Sequence, residues 1–337
     1  MESSNPHRLA STSSAETLPV ERGGRATRRQ FLSFVAGAAA ALSALPGRAS
    51  ATSYPFKLGI ITDEISDDLA EALDFITHYS LGYCEVREIW QKNVMALSRD
   101  ELNHAKSLIA GHGLRVSSIA SPIFKYPLPE MPAHPQDALV FHSTYTDRDT
   151  ADLMRRCFDI AHFFGTEKIR VFSYWRVPEP EKAYPYVRDR LAKAAELASR
   201  NGITLMIENE YDLNVGTAKE LGRILRDVNS PHLRANWDLA NAAMMNDVPY
   251  PDGYKEVAGL ISHVHVKDVK RDPSSGQLSW APVGSGIIDW PGQLQALREA
   301  QYRGTLSIET HFRPNGDALK NVRASVEGLQ KILRSLS

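Results

Sequence analysis

The chain has 337 residues, 43% hydrophobic and 23% charged, with a formal net charge of -1. That length suits one large core, and the near-neutral balance gives no basic surface for nucleic acid or anionic lipid. The two cysteines, Cys84 and Cys157, each lie inside an apolar segment, which argues against a disulfide framework and for reduced, packed thiols.

Residues 1–51 differ in kind from the rest, being rich in Ser, Ala, Arg and Gly. Thr27-Arg28-Arg29-Gln30-Phe31-Leu32 precedes an apolar run at 34–45, and Ala49-Ser50-Ala51 reads as a small-residue cleavage site. The run is too short and too alanine-rich to span a bilayer. Paired arginines before Phe-Leu resemble the twin-arginine export signal. A removable signal over 1–51 is therefore expected, leaving a periplasmic or secreted chain with no membrane attachment.

From residue 56 onward, short apolar runs alternate with helical spacing. Residues 56–61 form a first strand ending at Thr62-Asp63-Glu64, and Ser66 can cap a helix with Leu69, Leu73 and Ile76 on one face. Residues 82–87 are the second strand. Ser98-Arg99-Asp100-Glu101 is a capping box for a helix that Gly111 and Gly113 end. The third strand, 114–120, runs into a stretch at 121–145 carrying Pro122, Pro127, Pro129, Pro132 and Pro135, a length that suits a lid or binding loop, or else a disordered surface excursion. Helical spacing over 152–164 stops at Gly165, and 168–172 is the fourth strand, followed by Tyr174-Trp175-Arg176. The next helix, over 184–200, stops at Asn201-Gly202.

Each of the last four strands carries a cation-binding group near its C-terminal end. Leu205-Met206-Ile207-Glu208 is the fifth, and the capping box Thr217-Ala218-Lys219-Glu220 leads toward the sixth, Arg234-Ala235-Asn236-Trp237-Asp238. In the seventh, His263-Val264-His265-Val266-Lys267-Asp268, a period of two sends Val264 and Val266 to one face and His263, His265 and Lys267 to the other. Residues 291–300 form a helix, Leu306-Ser307-Ile308-Glu309 the eighth strand and 318–336 the closing helix. Eight alternations predict an α/β fold, a (β/α)8 TIM barrel, as a single domain over 52–337. Helices then cover the apolar outer faces of the strands, and the polar inner faces end at an active-site rim.

Glu208, Asp238, His265 and Glu309 converge on that rim. Three carboxylates and one imidazole suit one divalent ion, Mn²⁺, Mg²⁺, Co²⁺ or Zn²⁺, with positions open for substrate oxygens or water. No cysteine joins the set, which argues against structural zinc.

Five motifs, Ile207-Glu208-Asn209, Trp237-Asp238, residues 263–268, Val283-Gly284-Ser285-Gly286-Ile287-Ile288-Asp289-Trp290 and Ser307-Ile308-Glu309, resemble those of the sugar phosphate isomerase/epimerase family. This group of xylose isomerase-like barrels includes ketose 3-epimerases, inosose dehydratases and, more remotely, endonuclease IV. The resemblance covers roughly residues 54–336. It implies that Glu208, Asp238, His265 and Glu309 hold one divalent cation, and that Glu208 and Glu309 double as acid and base on opposite faces of a carbohydrate. It also places Arg271, six residues after His265, on substrate hydroxyls.

The chain departs from the epimerases at one position. They carry a histidine three residues after the strand-six aspartate, and here Asn241 hydrogen-bonds without titrating near neutrality. Lys125 and Lys267 are further catalytic candidates, as electrophile or proton donor. Trp90, Trp175 and Arg176 are candidates for stacking on or hydrogen-bonding a sugar ring. Gly284-Ser285-Gly286 suits either an anion site or a tight turn.

The first expectation is a metal-dependent isomerase or epimerase working through an enediolate on a sugar, keto-sugar or cyclitol. The alternative is a lyase, dehydratase or hydratase of a keto-sugar or keto-glycoside, which Asn241 and the lysines favour somewhat. An endonuclease needs more metal-binding histidines and a basic groove. A non-catalytic sugar-binding barrel ranks below both enzymes because the ligand set is intact. The expected partner is a small carbohydrate, which export makes more consistent with an unphosphorylated one; a homo-oligomer is compatible with all of these readings.

Overall fold

All eight expected strands form, and each pairs in parallel with its predecessor. In this computed structural model they are Lys57–Ile61 (β1), Tyr83–Val86 (β2), Arg115–Ala120 (β3), Lys168–Val171 (β4), Thr204–Glu208 (β5), Leu233–Asp238 (β6), Ile261–Val266 (β7) and Thr305–Ile308 (β8). β8 returns to β1, from Lys57 opposite Thr305 to Ile60 opposite Ile308, and closes the barrel. Closure leaves no strand edge unpaired. The structure describes residues 55–132, 145–314 and 316–336. The expected export signal at 1–51 and the centre of the proline-rich stretch, 133–144, lie outside the described residues.

The helices are Leu69–His78 (α1), Arg99–Gly111 (α2), Thr150–Phe164 (α3), Pro180–Arg200 (α4), Ala218–Val228 (α5), Leu239–Met244 (α6), Tyr254–Val257 (α7), Trp290–Glu299 (α8) and Ala318–Ser335 (α9). The capping boxes at Ser98 and Thr217 form, and Gly165 ends α3 at a φ of 76°. Three local expectations change. Asp68, not Ser66, caps α1: its carboxylate accepts from the amides of Ala70 and Glu71, while Ser66 accepts from Asp68 and donates to Glu71. An ionised carboxylate is the better partner for the positive end of a helix. α4 starts four residues early, at Pro180, where a missing N–H costs no helical bond. Between β6 and β7 the helix is split into α6 and α7, with Pro249 and Pro251 between them.

Two antiparallel ribbons, Glu88–Ile89 with Lys92–Asn93 and Asp268–Arg271 with Leu278–Ala281, were not expected. The second extends β7 beyond the barrel.

The strands divide as their alternation requires. Ile60, Ile169, Ile207, Val264, Val266 and Ile308 are fully buried, each stabilising the barrel by about 2 kcal/mol. The opposite parity is also buried but polar, with Glu85, Ser118, Asn236, His263, His265 and Ser307. Register aligns the polar set: Glu208 lies opposite Asn236, Asp238 opposite His265, and His265 opposite Ser307.

Candidate metal centre

Glu208 ends β5, Asp238 ends β6, His265 is the penultimate residue of β7, and Glu309 directly follows β8. Parallel strands finish on one rim, so these four side chains meet. One ligand atom from each lies within 4.8 Å of the others, and all four residues are buried. His265 Nδ1 is 3.0 Å from Glu309 Oε2, 3.2 Å from Glu208 Oε1 and 3.9 Å from Asp238 Oδ2. Glu208 Oε2, Asp238 Oδ2 and Glu309 Oε2 are buried and, among the described residues, have cationic neighbours but no well-aligned hydrogen-bond donor. Buried anionic oxygens left so are costly. Grouped around one imidazole nitrogen, they are the hard oxygen donors that a divalent ion takes, and the residues fit such an ion.

Side-chain cations surround the same carboxylates. Lys267 Nζ lies 2.7 Å from Glu309 Oε2 and 3.0 Å from Asp238 Oδ2. Arg170, on β4, reaches Glu208 Oε2 at 3.3 Å, and Arg87, just after β2, reaches Glu309 Oε1 at 2.6 Å and Glu64 Oε1 at 2.8 Å. Burial opposes charge on Glu208, yet His265 and Arg170 outweigh it and bring the carboxyl down to about 2. Burial likewise opposes charge on Glu309, but Lys267, His265 and His311 hold it well below the usual carboxylate range. Asp238 moves the other way, up to about 6, because burial and the nearby Glu208 charge outweigh Lys267.

The resembling motifs outside the four ligands have structural work. Asn209 Oδ1 accepts from the amide of Asp238 at 3.0 Å and its Nδ2 donates to the Asp238 carbonyl at 2.8 Å, which latches the end of β5 to that of β6. Asp268 turns its carboxylate into the loop before α8, accepting from the amides of Gly284 at 2.9 Å and Gly286 at 3.1 Å. The anion in that glycine turn is thus the chain's own. A Cβ on Gly286 would stand 2.1 Å from Asp268 Oδ1, so only glycine fits. Trp290, the first residue of α8, donates from Nε1 to the Lys267 carbonyl at 3.0 Å. Both contacts fix the end of β7, and with it His265 and Lys267.

Of the other expected residues, Asn241 joins the centre: its Nδ2 donates to Glu208 Oε1 at 3.2 Å and its amide to Asp238 Oδ1 at 2.9 Å. Lys125 lies 3.6 Å from Glu210 Oε2, over the rings of Phe172 at 4.7 Å and Trp175 at 5.9 Å, and burial pushes its pKa down. Trp175 is itself buried against this pair. Three expected substrate contacts have protein partners of their own. Arg176 pairs with Glu220 at 2.8 Å and donates to the Leu213 carbonyl, which secures the start of α5. Arg271 is exposed on the second ribbon and donates to the Gly276 carbonyl at 2.8 Å. Trp90 stacks on His104 of α2 at 5.3 Å.

Sequence reasoning missed Glu85, Arg87, Arg170, Trp280 and His311. His311 Nε2 is 3.4 Å from Glu309 Oε1, and its ring meets that of Trp280 edge-on at 5.0 Å. The usable signal was a charge amid a short apolar strand, as in Tyr83-Cys84-Glu85-Val86 and Lys168-Ile169-Arg170-Val171, because a charge buried on a barrel strand needs a partner inside.

The L-ribulose-5-phosphate 3-epimerase UlaE of Escherichia coli is 30% identical over 162 residues, 47% of this chain and 55% of that protein. The chain therefore spans about half the length of this relative. Among solved structures, the IolI protein with a bound zinc atom superposes with a TM-score of 0.65 at 17% identity, over 83% of this chain and 99% of that one. The probable 3-DHS dehydratase AsbF of Bacillus anthracis superposes with a TM-score of 0.64 at 16% identity, over 82% and 99% of the two chains. At such identities the likeness is one of fold. A family model described as xylose isomerase-like TIM barrel matches residues 77–332, from the end of α1 into α9. The chain belongs to the xylose isomerase-like TIM barrel family.

Proposed function

We propose that this chain is a divalent-metal-dependent sugar isomerase or epimerase that works through an enediolate on a sugar, keto-sugar or cyclitol. The observation that carries the reading is the pair of buried carboxylates Glu208 and Glu309, which share His265 and are each tied to a guanidinium, Arg170 or Arg87. Glu208, Asp238, His265 and Glu309 would hold the ion, which when bound polarises a carbonyl and its neighbouring hydroxyl and so acidifies the C–H between them. Glu208, kept ionised and oriented by Asn241, takes that proton to give the enediolate. Lys267 delivers a proton through Glu309, with which it is in contact, to the opposite face, and recovers one from Glu208, 3.8 Å from its ammonium, so that both carboxylates end the cycle ionised. Among the relatives, UlaE is an epimerase and IolI carries zinc, in keeping with this chemistry.

A second reading is a lyase or hydratase of a keto-sugar or keto-glycoside. It draws on Lys267, whose ammonium stands 2.7 Å from Glu309 where it can protonate a departing oxygen, and on Asn241 in place of a titratable group. In both readings an unphosphorylated substrate is favoured, by the expected export and because the glycine turn already holds the Asp268 carboxylate.

The test is incubation of the Mn²⁺-loaded protein with a panel of keto-sugars in D₂O. Deuterium at the carbon beside the carbonyl, with an isomer as product, supports the first reading; loss of water or of a glycosidic alcohol supports the second. No exchange with Mn²⁺, Mg²⁺, Co²⁺ or Zn²⁺ would sink both. We also place the mature chain outside the cytoplasm, on the strength of residues 27–51. Fractionation of cells making the full chain should find it in the periplasm or medium, and Arg28→Lys/Arg29→Lys should hold it in the cytoplasm; cytoplasmic wild type would contradict this.

A further inference from the structure

His265 has carboxylates on both edges of its ring. Nδ1 faces Glu208, Asp238 and Glu309, while Nε2 lies 3.3 Å from each oxygen of Glu85. Glu85 comes from β2, three strands away from β7 around the barrel. Its Oε2 is also 3.0 Å from Nε2 of His263, and all three residues are fully buried.

An imidazole that ligates through Nδ1 carries its single proton on Nε2, and a buried N–H requires an acceptor. Glu85 supplies one with a full negative charge. The remaining neighbour of Nε2 fits this assignment once its amide is turned: as placed, Asn236 Nδ2, a donor, stands 3.2 Å away while Asn236 Oδ1 has no hydrogen-bond partner among the described residues. The two ends of an amide are alike in shape, and rotating this one by half a turn gives Nε2–H a second acceptor and Oδ1 a partner.

We propose that Glu85 is the positioning residue for His265. It accepts the Nε2–H hydrogen bond, fixes the tautomer and ring orientation that aim Nδ1 at the ion, and raises the basicity of that nitrogen. His263 donates from Nε2 to the same carboxylate and holds it in place. Glu85 itself touches neither ion nor substrate. The role rests on the metal centre proposed above. The competing arrangement is a second ion held by Glu85, His263 and His265, whose ligand atoms also lie within 4.8 Å of one another. Ligation through Nδ1 leaves the proton on His265 Nε2 and so withdraws that nitrogen from the second group, and the 3.3 Å between Nε2 and Glu85 fits the resulting hydrogen bond; both favour positioning.

The experiment is a titration of the chelator-stripped full chain with Co²⁺, followed by calorimetry and by the visible absorption of the bound ion. Thermal unfolding of the metal-free proteins reports folding separately. Wild type should bind one Co²⁺ per chain. Glu85→Gln, which keeps size and one acceptor oxygen but loses the charge, should bind about 10-fold more weakly with a shifted absorption band, and Glu85→Ala about 100-fold more weakly. A purely structural Glu85 would lower the unfolding temperature while leaving Co²⁺ affinity and spectrum unchanged in Glu85→Gln, and that result overturns the proposal. Two Co²⁺ per wild-type chain, with one lost in His263→Gln, overturns it in favour of ligation. Absence of Co²⁺ binding by wild type removes the centre itself, a failure distinguishable because it appears before any substitution.

Discussion

Lys267 has an ammonium that is fully buried and bracketed by two of the four candidate ligands, Asp238 and Glu309. Its pKa stands well above the ordinary lysine value because Asp238, Glu309 and Glu208 outweigh the burial that opposes it. Lys267→Met removes that countercharge, and breaking a buried pair costs about 3–5 kcal/mol. The metal-free variant should therefore unfold at clearly lower denaturant than wild type, and bound Mn²⁺ should close most of the gap. Turnover should fall about 10²- to 10⁴-fold with Mn²⁺ stoichiometry unchanged, as loss of a proton donor requires. Lost stoichiometry would instead make Lys267 part of the ion's support. The four ligand candidates were legible from parity and from their places at strand ends. Arg87 was not, because it lies just past its strand, where nothing local distinguishes a guanidinium that turns into the barrel from one that faces solvent; Arg170 carries a weaker signal, a charge amid a short apolar strand. Arg271 lies on a ribbon that the pattern did not reveal and donates there to the Gly276 carbonyl.

Among the elements, the loop before α8 governs the site most. It has no side chain in the centre, yet Gly284 and Gly286 hold Asp268, and Trp290 holds the Lys267 carbonyl. Gly286→Ala drives a Cβ into the Asp268 carboxylate and into the Val269 carbonyl, 2.3 Å from it. Both are fixed, so the loop must move. The expected loss is about 1–3 kcal/mol in urea unfolding, together with weaker Mn²⁺ binding, although the loop touches no ligand. Unchanged affinity would show that the loop does not position the end of β7. Caps were legible where their chemistry is local, as at Ser98, Thr217 and Gly165. The Asp268–Arg271 and Leu278–Ala281 ribbon was not read, although Asp272-Pro273-Ser274-Ser275-Gly276 is a turn sequence, because charged residues break the alternation on one strand.

For the whole molecule, the closed barrel buries a polar interior, and that makes stability depend on pH away from the rim. Lys168, on β4, is half-buried and donates to the Ser262 carbonyl at 2.7 Å. Burial, with the nearby Lys57 charge, pushes its pKa down to about 8 from the model-peptide value of 10.5. Between these values the unfolded chain binds more protons than the folded one, so this residue's contribution to stability rises with pH. Below pH 8 the buried ammonium carries its full penalty; by about 10.5 the penalty is relieved. The stability of Lys168→Met relative to wild type should therefore decline steadily from pH 8 to 10.5 in parallel urea titrations. A relative stability that grows over the same range would show that the ammonium is favoured by its surroundings. The barrel as a whole was legible because eight alternations of apolar run and amphipathic stretch leave few other architectures.

The proposed chemistry turns on the ion, and the direct measurement is the metal content of the chain purified without chelator, beside His265→Ala. About one divalent ion per wild-type chain, lost from the variant, is the predicted result. No ion in either protein, even after reloading with Mn²⁺, Co²⁺ or Zn²⁺, would contradict it.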